Sequence, residues 1–314
     1  MKAGPVPEKD SVNQPTAKRR WLAWLILIAL VFTWGSSFIL MKIGLTVFPP
    51  MQLGALRISL VFIFLIPFLV VRFRKVKRRQ WHIFLISGLV GSGIPAFLFA
   101  YAQSGIDSSL SGILNSLTPL FTMLIGMWFF RYKGAWYNVV GVFIGLAGAV
   151  GLMAASGGGD LAFNFSYAWY VILATLCYAV NINLVKTYLK DTDAISITTY
   201  GVGSVGIPCL VYLLAFTDFI PRMLHHPDAW YGLSIVNILA VVGTGLALML
   251  YNYMIKISNV VFAASVTYLM PVVAIFWGVL DDEVFRLINI LYIALVLLGV
   301  FLVNGHFGKG HQKA

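Results

Sequence analysis

One pattern of residues occurs twice along this chain, and the two copies lie 152 positions apart without any gap. Residues of four types return at matched positions: Gly91, Gly93, Leu98, Tyr101, Leu117, Pro119 and Gly126 reappear as Gly243, Gly245, Leu250, Tyr253, Leu269, Pro271 and Gly278. A shorter match, shifted by 144 positions, relates Trp34-Gly35 and Lys42 to Tyr178-Ala179 and Lys186. The repeat predicts two copies of one folding unit within a single chain.

The composition restricts the solvent in which these units can fold. Hydrophobic residues make up 60% and charged residues 11% of the 314 positions, and the mean hydropathy is +0.89. Soluble domains carry about 25% charged residues, so a chain this apolar could not cover its surface with polar groups in water. We therefore predict an integral membrane protein. The two cysteines, Cys177 and Cys209, fall in apolar runs and are interpreted as buried hydrophobic residues.

Ten apolar segments are candidates to cross the hydrocarbon core of a membrane, which takes about 20 helical residues. They are 21–45, 51–71, 82–101, 108–130, 136–155, 167–189, 194–216, 232–255, 260–280 and 287–304. The sequence thus predicts an all-α membrane protein whose ten transmembrane helices form two five-helix repeats. Because five is odd, the repeats are expected to be inverted relative to each other. The predicted divisions are a disordered cytoplasmic tail (1–20), the first repeat (21–155), an external linker (156–166), the second repeat (167–304) and a cytoplasmic tail (305–314).

The basic residues indicate which ends of these helices face the cytoplasm. If the N-terminus is cytoplasmic, most of the 22 Lys and Arg residues fall on the inner side, whereas Arg222 and Arg286 fall on the outer side with Lys42 close to it. This distribution follows the positive-inside rule. It predicts cytoplasmic N- and C-termini and explains the net charge of +11 without a nucleic-acid partner. The basic run 72–79 is either an ordinary cytoplasmic anchor loop or a contact to anionic lipid headgroups.

Several short motifs together resemble a known family. They are Trp34-Gly35-Ser36-Ser37-Phe38 in the first span with Lys42 after it, Arg57 in the second span, the apolar stretches that open with Pro119 and Pro271, and the glycine-rich fifth and tenth spans. Over residues 21–304 the chain resembles the EamA-type branch of the drug/metabolite transporter superfamily. The resemblance implies a ten-helix transporter of the bacterial inner membrane that exports amino acids or other small metabolites. That branch often has a Gly-Glu pair where helices four and nine end, whereas this chain has Phe130-Arg131 and Asp281-Asp282-Glu283.

No acidic residue lies in the middle of a predicted span, since all eleven fall in tails, loops or span ends. A proton-driven pump for cationic drugs usually needs a buried carboxylate that attracts the cation and exchanges it for protons. We therefore predict a neutral, zwitterionic or anionic substrate, moved by facilitated transport or by another form of coupling. The sequence lacks HExxH, Walker A and GxSxG motifs, so neither an enzyme nor a cofactor is expected. His225-His226 beside Asp228 is interpreted as a solvated loop without a metal.

Polar and aromatic residues within the spans outline a candidate site for a small-molecule substrate. We predict that its contacts come from Trp34, Ser37, Arg57, Tyr101, Asn115, Tyr178, Asn181, Asn252, Tyr253 and Tyr268. Such a lining suits a neutral or zwitterionic molecule. Two interpretations of Arg57 stay open: it pairs with a carboxylate at 281–283 and holds the two halves together, or it attracts the carboxylate of a metabolite. Lys42 and Lys186 occupy equivalent helix ends and are interpreted as anchors in the lipid interface.

Paired interruptions in matching helices indicate a substrate site or a hinge in a transporter. The predicted hinge and packing residues are Gly91, Gly93, Pro119, Gly243, Gly245 and Pro271. Spans three, four, eight and nine are expected to face a central path together with spans one and six. Spans five and ten, which carry Gly145, Gly148 and Gly299, are expected to pack closely, in a monomer or across a homodimer interface. The predicted function is export by alternating access; the alternatives are an importer of the same fold and a channel- or scramblase-like protein.

Overall fold

The structure is a computed structural model that describes residues 17–72, 80–130, 136–156, 161–257, 260–283 and 286–304. Within these ranges the regular elements are helices, numbered here α1 to α10 in chain order. They are α1 (Ala17–Leu45), α2 (Pro50–Arg72), α3 (Trp81–Gly88, Leu89–Gly93 and Ile94–Ala102), α4 (Ser108–Asn115 and Thr118–Phe129), α5 (Trp136–Ser156), α6 (Leu161–Tyr188), α7 (Ala194–Ala215), α8 (Ala229–Ala240, Val241–Leu246 and Ala247–Ile257), α9 (Val260–Leu280) and α10 (Leu287–Asn304). A short helix, Phe219–His225, lies between α7 and α8.

The prediction of an all-α membrane fold is confirmed. Seven helices, α1 to α4 and α6 to α8, contain stretches long and apolar enough to cross a membrane. Shorter apolar stretches, Trp136–Leu152, Leu269–Leu280 and Leu287–Leu302, lie in α5, α9 and α10. They coincide with the fifth, ninth and tenth predicted spans, for which membrane crossing stays a prediction. The predicted N-terminal tail up to residue 16 and the C-terminal tail lie outside the described residues.

Helices α1 and α6 begin at least four residues earlier than the hydropathy of the sequence predicts. Helix α1 begins at Ala17, and α6 begins at Leu161, inside the segment predicted as an external linker. The backbone can remain helical beyond the apolar core, because helix formation needs hydrogen bonds along the chain and not an unbroken apolar run. The limits read from hydropathy therefore mark the membrane-sized core of each helix and not its full length.

Helices α3 and α8 are each interrupted at matched places by a π-helical turn. The turn in α3 is Leu89–Gly93, and the turn in α8 is Val241–Leu246. A π-helical turn accommodates one extra residue, disturbs the regular backbone hydrogen bonds and is frequent at functional sites. Helix α4 is interrupted differently, because Ser116 and Leu117 separate its two segments before Pro119. Its counterpart α9 is one continuous helix through Pro271.

Helix contacts follow one pattern in the first half, α1 to α5, and the second half, α6 to α10. Helix α1 packs against α8 and α9 of the second half, and α6 packs against α3 and α4 of the first half. Helix α2 packs against α7, and α5 packs against α10. Exchanging each helix for its counterpart in the other half leaves this set of pairs unchanged. The two repeats of the sequence thus meet each other through equivalent surfaces.

Helices α5 and α10 approach each other so closely that glycine is required. A Cβ atom added to Gly299 would lie 2.4 Å from the backbone nitrogen of Gly145 and 2.5 Å from the carbonyl oxygen of Gly141. A Cβ atom on Gly148 would lie 2.7 Å from the backbone nitrogen of Val296. Small residues allow helix backbones to approach within a membrane. These glycines therefore serve packing inside the chain, and the oligomeric state stays a prediction.

Candidate substrate site between the two halves

Trp34 joins α1 to the interrupted part of α8. Its indole Nε1 donates a hydrogen bond of 2.9 Å to the carbonyl oxygen of Gly243, and its ring centroid lies 5.2 Å from that of Tyr251. A π-helical turn frees backbone groups from their regular partners, and a carbonyl left without a partner in a low-dielectric interior is costly. The indole N–H supplies a partner for the Gly243 carbonyl, so the interruption and the tryptophan form one unit.

Ser37 lies one turn further along α1 and fits closely against the same glycine. Its hydroxyl donates to the carbonyl oxygen of Thr33 within α1 at 2.9 Å. A Cβ atom on Gly243 would lie 3.0 Å from the Ser37 Oγ. Ser37 therefore contributes a close helix contact at this place, while its hydroxyl proton is used by its own helix.

The second half repeats this contact with different chemistry. Asn181, the counterpart of Ser37, accepts a hydrogen bond of 2.7 Å from the Ser87 hydroxyl of α3. A Cβ atom on Gly91, the counterpart of Gly243, would lie 2.4 Å from the Asn181 Nδ2. Helices α1 and α6 thus each rest on the π-helical turn of a helix from the opposite half.

Arg57 reaches from α2 to the π-helical turn of α8. Its Nε and Nη2 donate to the Thr244 hydroxyl at 3.3 and 3.0 Å. The Arg57 guanidinium also lies near the Tyr178 side chain of α6. Among the described residues Arg57 forms no ion pair, and the carboxylates at 281 and 283 are paired with another residue. The hypothesis that Arg57 holds the halves together through these carboxylates is therefore wrong for this conformation.

Lys42 is the residue that pairs with those carboxylates. Its Nζ lies 2.5 Å from Asp281 Oδ2 and 3.0 Å from Glu283 Oε1. Glu283 in turn accepts hydrogen bonds at the first turn of α4, from the Ser108 N–H (2.9 Å), the Ser108 hydroxyl (2.8 Å) and the Ser109 N–H (3.1 Å). We call these five residues the ionic latch. The interpretation of Lys42 as an interfacial anchor is wrong, because its charge is used between the two halves.

The carboxyl groups of the latch region lie in a partly desolvated environment. Burial alone would raise the pKa of Glu283, but hydrogen bonds from Ser109, Lys42 and Ser108 outweigh burial and hold that pKa below its ordinary value. Burial, followed by the nearby negative charge of Glu283, raises the pKa of Asp107. Only 3% of the Glu283 side chain is exposed. The latch is therefore strongest while Glu283 is ionised.

Tyr101 and Tyr253 are not brought to the cluster of Trp34, Arg57 and Tyr178. They are 41% and 47% exposed, and Tyr101 packs against Tyr170 near the start of α6, with 4.7 Å between ring centroids. The physical reason in α8 is helical phase, because Tyr251, two residues before Tyr253, already faces Trp34. Their role as contacts of the substrate stays a prediction.

Of the remaining predicted residues, the structure describes the side chains of Tyr178 and Asn115. Tyr178 stacks on Phe99 of α3 at 6.0 Å. Asn115 ends the first segment of α4, and its buried Oδ1 has no hydrogen-bond partner in the described ranges. The side chains of Asn252 and Tyr268 lie outside what the structure describes.

Sequence reasoning missed two groups that the structure brings to the interface between the halves. Thr244 lies between two predicted hinge glycines, Gly243 and Gly245. A hydroxyl between such glycines could have indicated a polar contact at the hinge. The role of Ser108 and Ser109 had no comparable signal, because serines at a helix start are common capping residues.

Asn183 makes a further contact between the halves. Its Nδ2 in α6 donates a hydrogen bond of 2.9 Å to the Thr122 carbonyl oxygen in α4.

Apolar helices, equivalent contacts in the two halves and polar groups held between them are features of a class of multi-pass membrane transporters built from a repeated unit. Residues 21–154 and 165–305 each match the EamA-like transporter family. The chain belongs to this family, and the two matches coincide with its two halves. Its relatives place it in the drug/metabolite transporter superfamily.

Several known proteins are similar along most of the chain. An uncharacterized inner membrane transporter of Escherichia coli (strain K12), YedA, is 27% identical over 88% of this chain and 89% of its own length. A probable amino-acid metabolite efflux pump of Salmonella typhimurium is 25% identical over 80% of this chain and 83% of its own length. A solved crystal structure with 18% sequence identity has a TM-score of 0.60 and covers 89% of this chain and 95% of that chain. The structural likeness supports the fold alone.

Proposed function

We propose that the protein exports small metabolites, amino acids or similar neutral or zwitterionic solutes, by alternating access. The observation that carries the proposal is the matched pair of contacts in which α1 rests on the π-helical turn of α8 and α6 rests on that of α3. Equivalent contacts in two oppositely inserted halves give a pathway that can open at either end. The name of the Salmonella relative, a probable amino-acid metabolite efflux pump, supports this class of substrate.

The ionic latch supplies the closed end of this cycle. Lys42 and Ser108 belong to the first half, whereas Asp281 and Glu283 belong to the second half. Separating the halves at this end requires these contacts to break. In the proposed topology, with both termini cytoplasmic in a bacterial inner membrane, the latch faces outside, and its contacts belong to the state closed to the exterior.

The transport proposal is tested with purified protein in liposomes. Vesicles loaded with unlabelled L-leucine or L-phenylalanine are diluted into trace amounts of the labelled amino acid. Saturable accumulation of label by counterflow is expected, because a carrier exchanges solute across the membrane one site at a time. Empty liposomes are the control. Failure of counterflow across a panel of amino acids, organic acids and nucleosides would count against a metabolite carrier.

Two alternatives are separated by the same preparation. A channel gives conductance that does not saturate with solute, and a scramblase exposes labelled lipid of the inner leaflet without any solute dependence. An importer gives counterflow as well, so direction is measured in cells as accumulation or depletion of the identified solute on expression. Labelling of single cysteines in the tails tests the proposed cytoplasmic placement of both termini.

A further inference from the structure

Arg57 is a half-buried cation that has no counter-charge among the described residues. Its two hydrogen bonds end on one neutral hydroxyl, that of Thr244, and within the described residues it forms no ion pair. A guanidinium carries five N–H donors in a planar fork, so most of this donor capacity remains available. An unpaired charge in a low-dielectric interior is costly, and charged groups inside membrane spans are mostly functional.

The accessible part of Arg57 faces the interior of the protein. Leu53 and Val61, one turn before and one turn after Arg57 on the same side of α2, are both 0% exposed, so this side of the helix is enclosed by other helices. Arg57 itself keeps accessible surface in the middle of that enclosed stretch. Because Arg57 donates a hydrogen bond to Thr244 of the second half, this accessible surface lies at the contact between the two halves.

An aromatic surface lies beside the cation at the same π-helical turn. Thr244 holds Arg57, and the adjacent Gly243 carbonyl accepts the hydrogen bond from Trp34. The Trp34 and Tyr251 rings lie 5.2 Å apart and both remain partly accessible. One turn of α8 thus brings a fork of charged donors close to an apolar aromatic surface.

We propose that Arg57 binds the carboxylate of the transported solute, with Trp34 and Tyr251 beside the apolar part of that solute. This assignment rests on the transport function proposed above and specifies its substrate as a small monocarboxylate, free or zwitterionic. A carboxylate matches the guanidinium fork through two parallel hydrogen bonds. A phosphate monoester carries nearly two negative charges at neutral pH, and the cluster described here supplies one cation.

The subsite is tested by binding of matched pairs of probes to the purified full chain. The pairs are L-phenylalanine with L-phenylalaninamide and 3-phenylpropionate with 3-phenylpropionamide, measured by thermal shift and by equilibrium binding. We expect both carboxylates to bind at least about tenfold more tightly than their amides, in line with the strength of a charge-assisted hydrogen bond. The variant Arg57→Gln should lose this preference, and Arg57→Lys should retain part of it.

A readout of stability separates binding from a structural role. Glutamine can still donate a hydrogen bond to Thr244 but carries no charge, so Arg57→Gln should be as stable as the wild type or more stable. Arg286→Gln, at an exposed arginine ahead of α10, is the matched control and should leave the preference unchanged. Equal binding of acids and amides, absence of carboxylate binding, or strong destabilisation by Arg57→Gln would overturn the assignment. Saturable counterflow of a neutral solute alongside such a result would leave the transport function standing.

Discussion

At the scale of single residues, Asp107 is a carboxyl group in an unfavourable position. It precedes α4, its side chain forms no capping hydrogen bond, and burial together with Glu283 raises its pKa above the ordinary value. A carboxyl with a raised pKa favours the folded state when it is protonated, and this contribution is lost as pH rises through the raised pKa. At neutral pH the ionised Asp107 therefore weakens the structure around the latch.

The variant Asp107→Asn should be more stable than the wild type at neutral pH by up to about 1 kcal/mol, because it removes a partly buried charge of the same sign as Glu283. The gain should shrink as pH falls and disappear below the ordinary pKa of 3.8. Thermal unfolding in detergent across this pH range measures the difference. Asp191→Asn, at an exposed loop residue, is the control. A gain that did not depend on pH would contradict the electrostatic cause.

A substitution at Trp34 can separate the effect of its hydrogen bond from the effect of its ring contact. Trp34→Phe keeps an aromatic ring near Tyr251 but leaves the Gly243 carbonyl without the indole donor. The loss of a hydrogen bond to a buried carbonyl should cost about 1–3 kcal/mol of stability. Chemical unfolding should show this loss for Trp34→Phe but not for Trp230→Phe, whose side chain is 73% exposed. Equal effects of the two variants would show that the hydrogen bond contributes little.

The sequence indicated which polar and aromatic residues lie at the interface between the halves, but not which residues they contact there. The Trp34 and Arg57 side chains both reach α8, a pairing across 209 and 187 positions that local patterns do not encode. Lys42 was misassigned because a lysine at a helix end has the same local pattern whether it reaches lipid headgroups or a carboxylate. The repeat of Tyr101 as Tyr253 marks equivalence between the halves and does not indicate which side of a helix faces inward.

At the scale of helices, the close contact between α5 and α10 depends on glycines, which have no side chain to hold the two backbones apart. The added Cβ of Gly299 would meet backbone atoms of α5 at 2.4 and 2.5 Å, and backbone atoms cannot move aside as a flexible side chain can. Gly299→Ala should therefore push the helices apart and cost about 1–3 kcal/mol. Gly201→Ala is the control, since its nearest neighbouring atom would lie 3.6 Å away. Equal unfolding temperatures for the two variants would contradict the proposed close packing.

The helices could be predicted because a helix that crosses a membrane needs a long apolar segment. Their ends and interruptions depend on local backbone contacts and on packing against neighbouring helices. The glycine pairs at 91 and 93 and at 243 and 245 predicted a disturbance, and the structure places π-helical turns there. Pro119 and Pro271 occupy equivalent sequence positions, yet α4 is interrupted near its proline whereas α9 is continuous through Pro271. Composition alone does not decide that difference, because a proline inside a helix can be accommodated by neighbouring helices.

At the scale of the whole molecule, the latch breaks the symmetry between the two halves. Shifting Glu283 by 152 positions gives Arg131, and shifting Lys42 by 144 positions gives Lys186. The sequence thus has two cations at the positions equivalent to Lys42 and Glu283, so this lysine–glutamate pair is not repeated in the other half. The latch therefore stabilises the conformation in which its own end is closed.

The variant Glu283→Gln should shift this balance toward opening at the latch end. The probe is a cysteine at Asn115, seven residues or roughly 10 Å along α4 from Ser108, in a chain whose two native cysteines are replaced by alanine. With the latch end outside, as proposed above, its rate of reaction with a membrane-impermeant thiol reagent added outside should rise about fivefold. This corresponds to the loss of about 1 kcal/mol from an ion pair whose lysine side chain is 36% exposed.

Acid should reproduce this opening in the unmodified latch. Because the pKa of Glu283 is lowered, its contribution is complete above the ordinary value of 4.5 and is lost as pH falls through the lowered pKa. The reaction rate, normalised to a free thiol, should therefore rise at low pH with Glu283 present and stay level in Glu283→Gln. Asp282→Asn is the matched control, because this exposed neighbour has a φ of 57° that asparagine also tolerates. If Glu283→Gln and Asp282→Asn labelled equally slowly, closure would have to come from helix packing alone and the ionic latch would have no part in it.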